Sequence, residues 1–323
     1  MGKETDTLRA PFPYFGGKSK IAPLVWKWLG DPKFYVEPFM GSAAVLLARP
    51  GGGDGRTEIV NDKDCLLVNF WRAAKFAPDD VAREAAHIHS QADMMARRRY
   101  VLDYIDDVRR WAKEDPDFCD AEIAGYWLYV QRMWIGDRCW DPEYADAGKT
   151  MKLCNGGKAR SEEEWRAVLE TLSARLLQVL VTCGDWKVAL RGKWQTSSGA
   201  DCGVFLDPPY DFERYAMTDA YEENQATVSR EVEDWCRENG DRDGMRIVLC
   251  GYENEHDGLL ERGWRKYEWQ TDGGYAKNRR DENEVTLGLE NSARERCWLS
   301  PNCLDCNGEA EDLPLLELME GAR

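Results

Sequence analysis

The chain has 323 residues, of which 43% are hydrophobic and 11% aromatic, so one large domain, or one domain with a smaller insertion, can bury a sizeable core. It carries 43 Lys and Arg residues against 59 Asp and Glu residues, a net charge of −16. This composition excludes disordered and collagen-like chains, and no apolar run is long enough to span a membrane. The polar first ten residues predict no signal peptide, so we expect a cytoplasmic protein with no membrane partner.

The eleven cysteines are scattered through the chain without regular spacing. Several lie in apolar segments, which predicts reduced and buried thiols. Cys303 and Cys306 form one CxxC pair, but no second pair has the spacing of a four-ligand zinc site. The sequence therefore predicts no metal site.

Short apolar runs that end in acidic or turn residues predict the strands of a sheet. In chain order these runs are residues 34–36, 58–60, 177–182, 203–206 and 246–250. Helical patterns lie between several of them, at 21–29, 43–48 and 228–238. Near-continuous apolar strands that alternate with helices predict an α/β fold with a doubly wound, mostly parallel sheet. Two later runs, 265–270 and 296–299, predict an antiparallel pair at one sheet edge.

Residues 66–172 interrupt this alternation. The segment is charged, and its pattern is mostly helical, for example over 79–104 and 123–134. It is too long for one crossover helix, so we predict an inserted, mainly helical subdomain in which Trp127, Trp134 and Trp140 are core residues. The α/β domain is then discontinuous, over 1–65 and 173–307. Residues 308–323 are predicted to be an acidic, flexible tail.

One glycine-containing segment precedes the first predicted strand, and a second includes the end of that strand and the turn after it. Residues 14–18 read YFGGK, and two glycines before a lysine can wrap a carboxylate or a phosphate, although the P-loop spacing is absent. Residues 35–42 read YVEPFMGS and lead from the strand into a helix rich in small residues. Gly41 would let a ligand approach the backbone at the free N–H groups of the helix start. The same segment also fits a tight strand-to-helix turn with no ligand.

Two acidic residues, Asp62 and Asp185, end further predicted strands. A carboxylate at such a position can accept hydrogen bonds from ribose hydroxyls or from an adenine amino group. Each residue taken singly fits a helix N-cap or a turn equally well.

The tetrapeptide DPPY at 207–210 directly follows an apolar strand, where ligands of open α/β sheets bind. The exocyclic amine of a base is a poor nucleophile, because its lone pair is delocalised into the ring. The Asp207 carboxylate and the Pro208 carbonyl can both accept hydrogen bonds from such an amine. Pro208 and Pro209 restrict φ and stiffen the turn, and Tyr210 offers a flat face to a base taken out of the duplex. The segment therefore predicts a site for an amino group on a nucleobase.

Taken in order, these segments resemble the Dam-like, alpha-group DNA adenine-N6 methyltransferases. The order is a GGK segment, an EPFxGS segment, an NDxD turn at 61–64, a helical insertion, a GD turn at 184–185 and DPPY. Segments 246–252 and 294–301 are most similar to phage and prophage DNA adenine methylases. The resemblance covers residues 10–303, and the ordered set is more specific than DPPY alone.

The resemblance implies a Rossmann-like class I methyltransferase fold with S-adenosyl-L-methionine as cofactor. The residues implied to bind this cofactor are Tyr14, Gly17, Lys18, Glu37, Pro38, Phe39, Gly41, Asp62, Asp185 and Trp186. The first three would contact the methionine end and the next four the central part. Asp62 would hold the ribose, and the last two would face the adenine ring. The catalytic residues implied are Asp207, Pro208, Pro209 and Tyr210, which would bind the target amine and stack on the target base.

The resemblance further implies a site-specific enzyme that methylates adenine N6 in double-stranded DNA. The helical insertion would recognise the target, and the setting would be phage or prophage DNA modification that protects against restriction, in a bacterial or phage-infected host cytoplasm. An N4-cytosine methyltransferase remains an alternative, because the amine chemistry is the same. RNA and protein-glutamine methyltransferases are disfavoured, since they usually carry Asn at the position of Asp207.

The acidic balance motivates a further alternative, a catalytically dead methylase fold that acts as an acidic interaction protein. Three basic clusters could instead supply a face for DNA, or they could be ordinary solvated surfaces. They are Arg97, Arg98 and Arg99; Lys149, Lys152, Lys158 and Arg160; and Lys277, Arg279 and Arg280. The tail segment 312–316, DLPLL, loosely resembles peptides that dock on bacterial sliding clamps, and it predicts a weak clamp contact.

Overall fold

The computed structural model describes residues 8–14, 16–87, 89–134, 139–142, 160–192, 201–209, 223–268 and 295–304. Their helices are α1 (Ala22–Leu29), α2 (Ala44–Leu47), α3 (Cys65–Phe76), α4 (Pro78–Ala85), α5 (Gln91–Asp103), α6 (Ile105–Glu114), α7 (Ala121–Met133), α8 (Glu162–Leu176) and α9 (Glu223–Asn239). Their strands are β1 (Phe34–Glu37), β2 (Thr57–Asp62), β3 (Val179–Cys183), β4 (Cys202–Leu206), β5 (Met245–Tyr252), β6 (Arg265–Glu268) and β7 (Glu295–Leu299).

The first three strands are parallel in the order β3-β2-β1, and the other four follow the order β4-β5-β7-β6, in which β4 and β5 are parallel and β7 is antiparallel to both its neighbours. Every strand predicted from the apolar runs is present within a few residues of its predicted position. With helices between the strands, this confirms the predicted α/β, Rossmann-like class. By its internal contacts the chain divides into two compact units, Met1–Ala22 with Phe34–Ser197, and Pro23–Lys33 with Ser198–Arg323.

The first unit contains three parallel strands and the helices α2 to α8. In β1 and β2, Glu37 is level with Val60, and in β2 and β3, Asp62 is level with Cys183. Helix α3 follows β2 directly, because the Asp64 side chain accepts the N–H groups of the first helical turn. The domain boundaries predicted for the helical insertion, 66–172, stay a prediction.

The helical part of the first unit is built around aromatic side chains. Trp127 is 2% exposed, and its ring centroid lies 4.9 Å from that of Phe12 and 5.3 Å from that of Phe70. Trp134 is also buried, in a second cluster with Tyr129 and Met133, and Trp140 is partly buried against that second cluster. The prediction that these tryptophans are core residues is therefore confirmed for Trp127 and Trp134.

The helical pattern over 79–104 is confirmed, and two helices, α4 and α5, occupy it. The backbone of Ser90 is extended, at φ −136° and ψ 134°, and its hydroxyl accepts the N–H of Asp93. A serine in this position caps the start of a new helix, so the chain can turn between two amphipathic segments without losing the helical pattern of either.

The second unit contains α1, the parallel strands β4 and β5, and the antiparallel strands β7 and β6. All five residues of β4 are buried, as the continuous apolar run predicted. β6 pairs with β7 from Arg265 opposite Leu299 to Glu268 opposite Arg296, which confirms the predicted antiparallel pair. Among the described residues, no helix combines the length and the apolar character needed to cross a membrane.

Candidate active site

The ends of β1, β2 and β3 bring several of the predicted cofactor residues to one edge of the first unit. Parallel strands end on the same side of their sheet, so the turns that follow Glu37, Asp62 and Cys183 are neighbours. Asn61 ties these turns together, because its side-chain amide donates to the carbonyls of Pro38 and Gly184, at 3.1 Å each. Hydrogen bonds therefore join the turns at this edge, and we call the edge the strand-end site.

Gly41 lies at the centre of the strand-end site and requires glycine for two reasons. Its φ is +48°, in the left-handed region that side chains disfavour. A Cβ atom there would also lie 2.7 Å from the ring of Tyr14. The Gly41 carbonyl accepts a hydrogen bond from Trp71 Nε1 at 3.1 Å, so α3 fixes the turn from the side. The backbone of the 38–41 turn is thereby held within reach of Tyr14.

Asp62 connects the glycine turn to the start of α3. One carboxylate oxygen accepts the N–H of Gly41 at 2.9 Å, and the other accepts the N–H of Asp64 at 2.9 Å. Burial raises the pKa of the Asp62 carboxyl to about 6, and the backbone hydrogen bonds act in the opposite direction. Each oxygen has a second lone pair, so a partly exposed Asp62 can still accept a hydroxyl from a ligand.

Glu37 is almost fully buried, at 2% exposure. Its Oε2 atom accepts hydrogen bonds from the Tyr35 hydroxyl at 2.9 Å and from the Leu46 N–H at 3.2 Å. The hydroxyl of Tyr35 has a pKa well above its usual value, because it is buried and faces this carboxylate. Glu37 therefore orders the strand-to-helix segment that carries the glycine turn.

The YFGGK segment also lies in the first unit. Lys18 is buried at 4% exposure, and its ammonium group donates to the carbonyl of Gly16 at 2.9 Å. Tyr14 is 39% exposed, and a Cβ at Gly17 would make only ordinary contacts, with Tyr14 and Ser42. The segment thus leaves the backbone of Gly17 and the ring of Tyr14 accessible beside the glycine turn.

The ring of Phe39 stacks on Trp186, with centroids 6.0 Å apart and an angle of 24° between the planes. Trp186 is 4% exposed, whereas Phe39 is partly exposed. The adjacent Asp185 is exposed, and its carboxylate accepts the N–H of Lys187 at 2.9 Å. A flat ligand would therefore meet the ring of Phe39, with Trp186 behind it.

The second unit holds the described part of the DPPY segment, directly after β4. Asp207 is partly buried, Pro208 is buried and Pro209 is exposed. Tyr210 lies outside the described residues. The placement after a fully buried parallel strand agrees with the position that the sequence predicted for it.

Two residues that shape the strand-end site had no assigned role in the sequence. Asn61 had a usable signal, since a polar amide ends a buried strand beside an acidic residue. Trp71 had none, because it lies 30 positions from the Gly41 carbonyl and in a helix whose residues are mostly apolar. Only the packing of α3 brings the two together.

The predicted basic clusters are described in part. Arg98 is 3% exposed and donates to the carbonyls of Cys139 and Asp141, at 2.6 and 2.7 Å, so it is a structural residue. Arg97 pairs with Asp93 on the same helix, and Arg99 is exposed. Of the second cluster only Arg160 is described. The third cluster, Cys306 and the tail lie outside the described residues. The last described residue is Leu304, and Cys303 is buried.

Comparisons with known proteins agree with this arrangement. A family model described as "D12 class N6 adenine-specific DNA methyltransferase" matches residues 14–234. Two proteins called DNA adenine methylase, from two Vibrio cholerae O1 strains, are each 21% identical over 262 residues. Each match covers 79% of this chain and 85% of the relative. The predicted Dam-like resemblance is confirmed, and the chain belongs to the D12 class of N6 adenine-specific DNA methyltransferases.

Proposed function

We propose that this adenine DNA methyltransferase uses S-adenosyl-L-methionine and holds it at the strand-end site. The observation that carries the proposal is the Asp62 carboxylate, which holds the Gly41 turn at 2.9 Å and is still partly exposed. A glycine turn that no side chain can occupy, beside an acidic acceptor, suits a ligand with ribose hydroxyls. The cofactor would supply an activated methyl group.

The roles proposed along this site are those that the family resemblance implies. Tyr14, Gly17 and Lys18 would bind the methionine end. Glu37, Pro38, Phe39 and Gly41 would form the central part, with Glu37 acting through the turn that it orders. Asp62 would accept the ribose hydroxyls. Asp185 and Trp186 would define the adenine end, where the ring of Phe39 stacks on Trp186.

The residues proposed for the target amine are Asp207, Pro208, Pro209 and Tyr210. The carboxylate of Asp207 and the carbonyl of Pro208 would accept the two amino hydrogens, which favours a nitrogen whose lone pair can attack. The prolines would hold both acceptors in place before the base arrives, so orientation provides much of the acceleration. Tyr210 would stack on the extruded adenine.

The substrate that we propose is a specific site in double-stranded DNA, with the helical region of residues 66–172 as the target-recognition part. Membership of an adenine-specific family decides against the N4-cytosine alternative. The net charge of −16 leads us to expect DNA binding that weakens steeply with salt. The cellular role proposed is the protection of phage or prophage DNA in a bacterial cytoplasm, for which segments 246–252 and 294–301 are the support. A clamp contact through 312–316 stays a prediction.

The proposal is tested by incubating the full-length protein with methyl-labelled S-adenosylmethionine and duplex DNA, then digesting the DNA to nucleosides. We expect label in N6-methyladenine, at positions that define one short recognition sequence. Label in N4-methylcytosine or in the protein, or no transfer at all, would reject it. Equilibrium binding of labelled S-adenosylmethionine without DNA tests the cofactor assignment separately.

A further inference from the structure

Two arginines in the helical part of the first unit stack on one tryptophan. Arg132 is near the end of α7, and Arg160 lies just before α8. Each guanidinium carbon lies 4.8 Å from the ring centroid of Trp165, which is 2% exposed. Stacking on an aromatic ring orients a guanidinium and leaves the N–H groups at its edge to bind something else.

These two arginines differ from their neighbours in having no acidic partner among the described residues. Arg166, on the same helix, pairs with Asp79 and Glu162 at 2.9 and 2.6 Å. For Arg132, burial lowers the pKa of the guanidinium, and the like charge of Arg160 lowers it further. Two facing cations that are not neutralised within the described chain favour an anion as the missing partner.

A small pocket opens beside the pair, and none of the described residues that line it is acidic. Its polar lining comes from His87, His89, Tyr129, Arg132 and Arg160. The pKa values of both histidines are lowered, by burial first and then by Arg97 for His87 and by Arg132 for His89. Both rings are thus neutral near pH 7. Both ring nitrogens of His87 lie against Arg97 Nη2, at 2.9 and 3.0 Å, whereas the N–H of the His89 ring can donate to an anion.

The size of the pocket limits which part of a ligand can enter. Its volume is about 10 Å³, close to the space that one water molecule needs. A phosphate oxygen fits this space, whereas a nucleobase does not. Guanidinium groups match the oxygens of a phosphate with paired N–H donors, and most contacts between proteins and DNA are made to the backbone.

We propose that Arg132 and Arg160 bind a backbone phosphate of the DNA substrate, which inserts one oxygen into the pocket beside Trp165. This inference rests on the proposed function, because it takes duplex DNA as the ligand. The contact would position the helical region on the duplex without reading its sequence. It also accounts for how an acidic protein retains a local site for a polyanion.

The test is the salt dependence of duplex binding by the full-length protein and its variants Arg132→Gln, Arg160→Gln and Arg132→Lys. Losing one phosphate contact makes the slope of log K against log salt less steep by about 0.9. When the salt concentration rises fourfold, the loss of affinity of each Gln variant should therefore be about 3.5-fold smaller than the loss shown by wild type. Arg132→Lys keeps the charge, so its slope stays near that of wild type while its affinity falls. Each Gln variant should lose the same factor of affinity on duplexes of unrelated sequence, because the contact is to the backbone.

Arg166→Gln is the matched control, since Arg166 is an arginine on α8 that carboxylates already neutralise. Its slope should equal that of wild type. Thermal unfolding checks the fold, and Arg160→Gln changes a residue outside the helices, so it keeps the test decisive if Arg132→Gln unfolds. Wild-type slopes in both Gln variants, or equal displacement of duplex from all variants by inorganic phosphate, would overturn the inference. A wild-type protein that neither binds duplex nor transfers methyl groups contradicts the proposed function instead.

Discussion

At the strand-end site the Asp62 carboxylate accepts two backbone N–H groups, whereas the turn after β4 contains two prolines, which have no N–H to donate. The first site is ordered by hydrogen bonds between side chains and main chain. The second is ordered by the rings of Pro208 and Pro209, which restrict φ. Asp62 is thus occupied with shaping its own turn as well as with any ligand. The contrast leads us to expect that cofactor affinity and the rate of transfer respond to different carboxylates.

The largest expected effect comes from Asp207→Ala. Removing one of the two acceptors proposed for the target amine should lower kcat by on the order of 10²–10³-fold, as removal of one preorganised hydrogen-bonding group does in other enzymes. Affinity for S-adenosylmethionine, measured by equilibrium binding, should change little. Asp241→Ala, at an exposed position in the same unit, should retain full activity. A large loss of cofactor affinity in Asp207→Ala would instead assign Asp207 to the cofactor site. It would contradict the expectation that different carboxylates govern cofactor affinity and the rate of transfer.

A smaller effect is expected from pH at Asp62. Its pKa is raised to about 6, so the carboxylate is ionised at neutral pH and gains a proton as the pH falls through that value. A protonated carboxyl loses acceptor capacity for ribose hydroxyls, and cofactor affinity should be about tenfold lower at about pH 5 than at about pH 7.5. Titration calorimetry over this range measures it.

The sign of the stability effect separates this outcome from acid unfolding. The native carboxyl binds its proton more tightly than an unfolded one, with its ordinary pKa of 3.8. This group therefore contributes stability at low pH, and that stability is lost as pH rises through about 6. Destabilisation of the fold by this carboxyl therefore does not account for weaker cofactor binding at low pH. Asp62→Asn does not titrate and should bind the cofactor weakly at every pH, whereas an unchanged pH profile in Asp62→Asn would contradict the role of Asp62.

The smallest expected effect is structural and concerns Asn61. Asn61→Ala removes the donor, 3.1 Å away, of the buried Pro38 carbonyl and the partly buried Gly184 carbonyl, at a cost of about 2 kcal/mol in unfolding free energy. Denaturant unfolding measures this cost. Asn302→Ala, which removes one exposed bond to the Arg242 carbonyl, should stay within about 0.5 kcal/mol of wild type. Equal effects at both positions would mean that the strand-end site is not specially ordered.

The strands were predictable from sequence, because their signals are local, and the residues predicted to form the site stand at the ends of these strands. A buried strand such as β4 is a continuous apolar run, and the residues that end it are acidic or turn-forming. The break between α4 and α5 within the helical pattern over 79–104 was not predicted, because both helices carry that pattern and the cap at Ser90 that separates them is a single hydroxyl. In the basic cluster at 97–99, Arg98 is buried while Arg99 is exposed, because sequence does not show which face of α5 turns inward.

The sequence by itself determined the order of the glycine turn, the acidic strand ends and the DPPY segment, and hence the family. Each of these depends on residues adjacent in the chain. Only the tertiary structure decided that Asn61 joins three turns, that Trp71 supports Gly41, and that Arg132 and Arg160 share the ring of Trp165. Apart from the local contact between Arg160 and Trp165, those contacts join residues 23 to 123 positions apart, and the packing of distant elements brings them together, which no local pattern encodes.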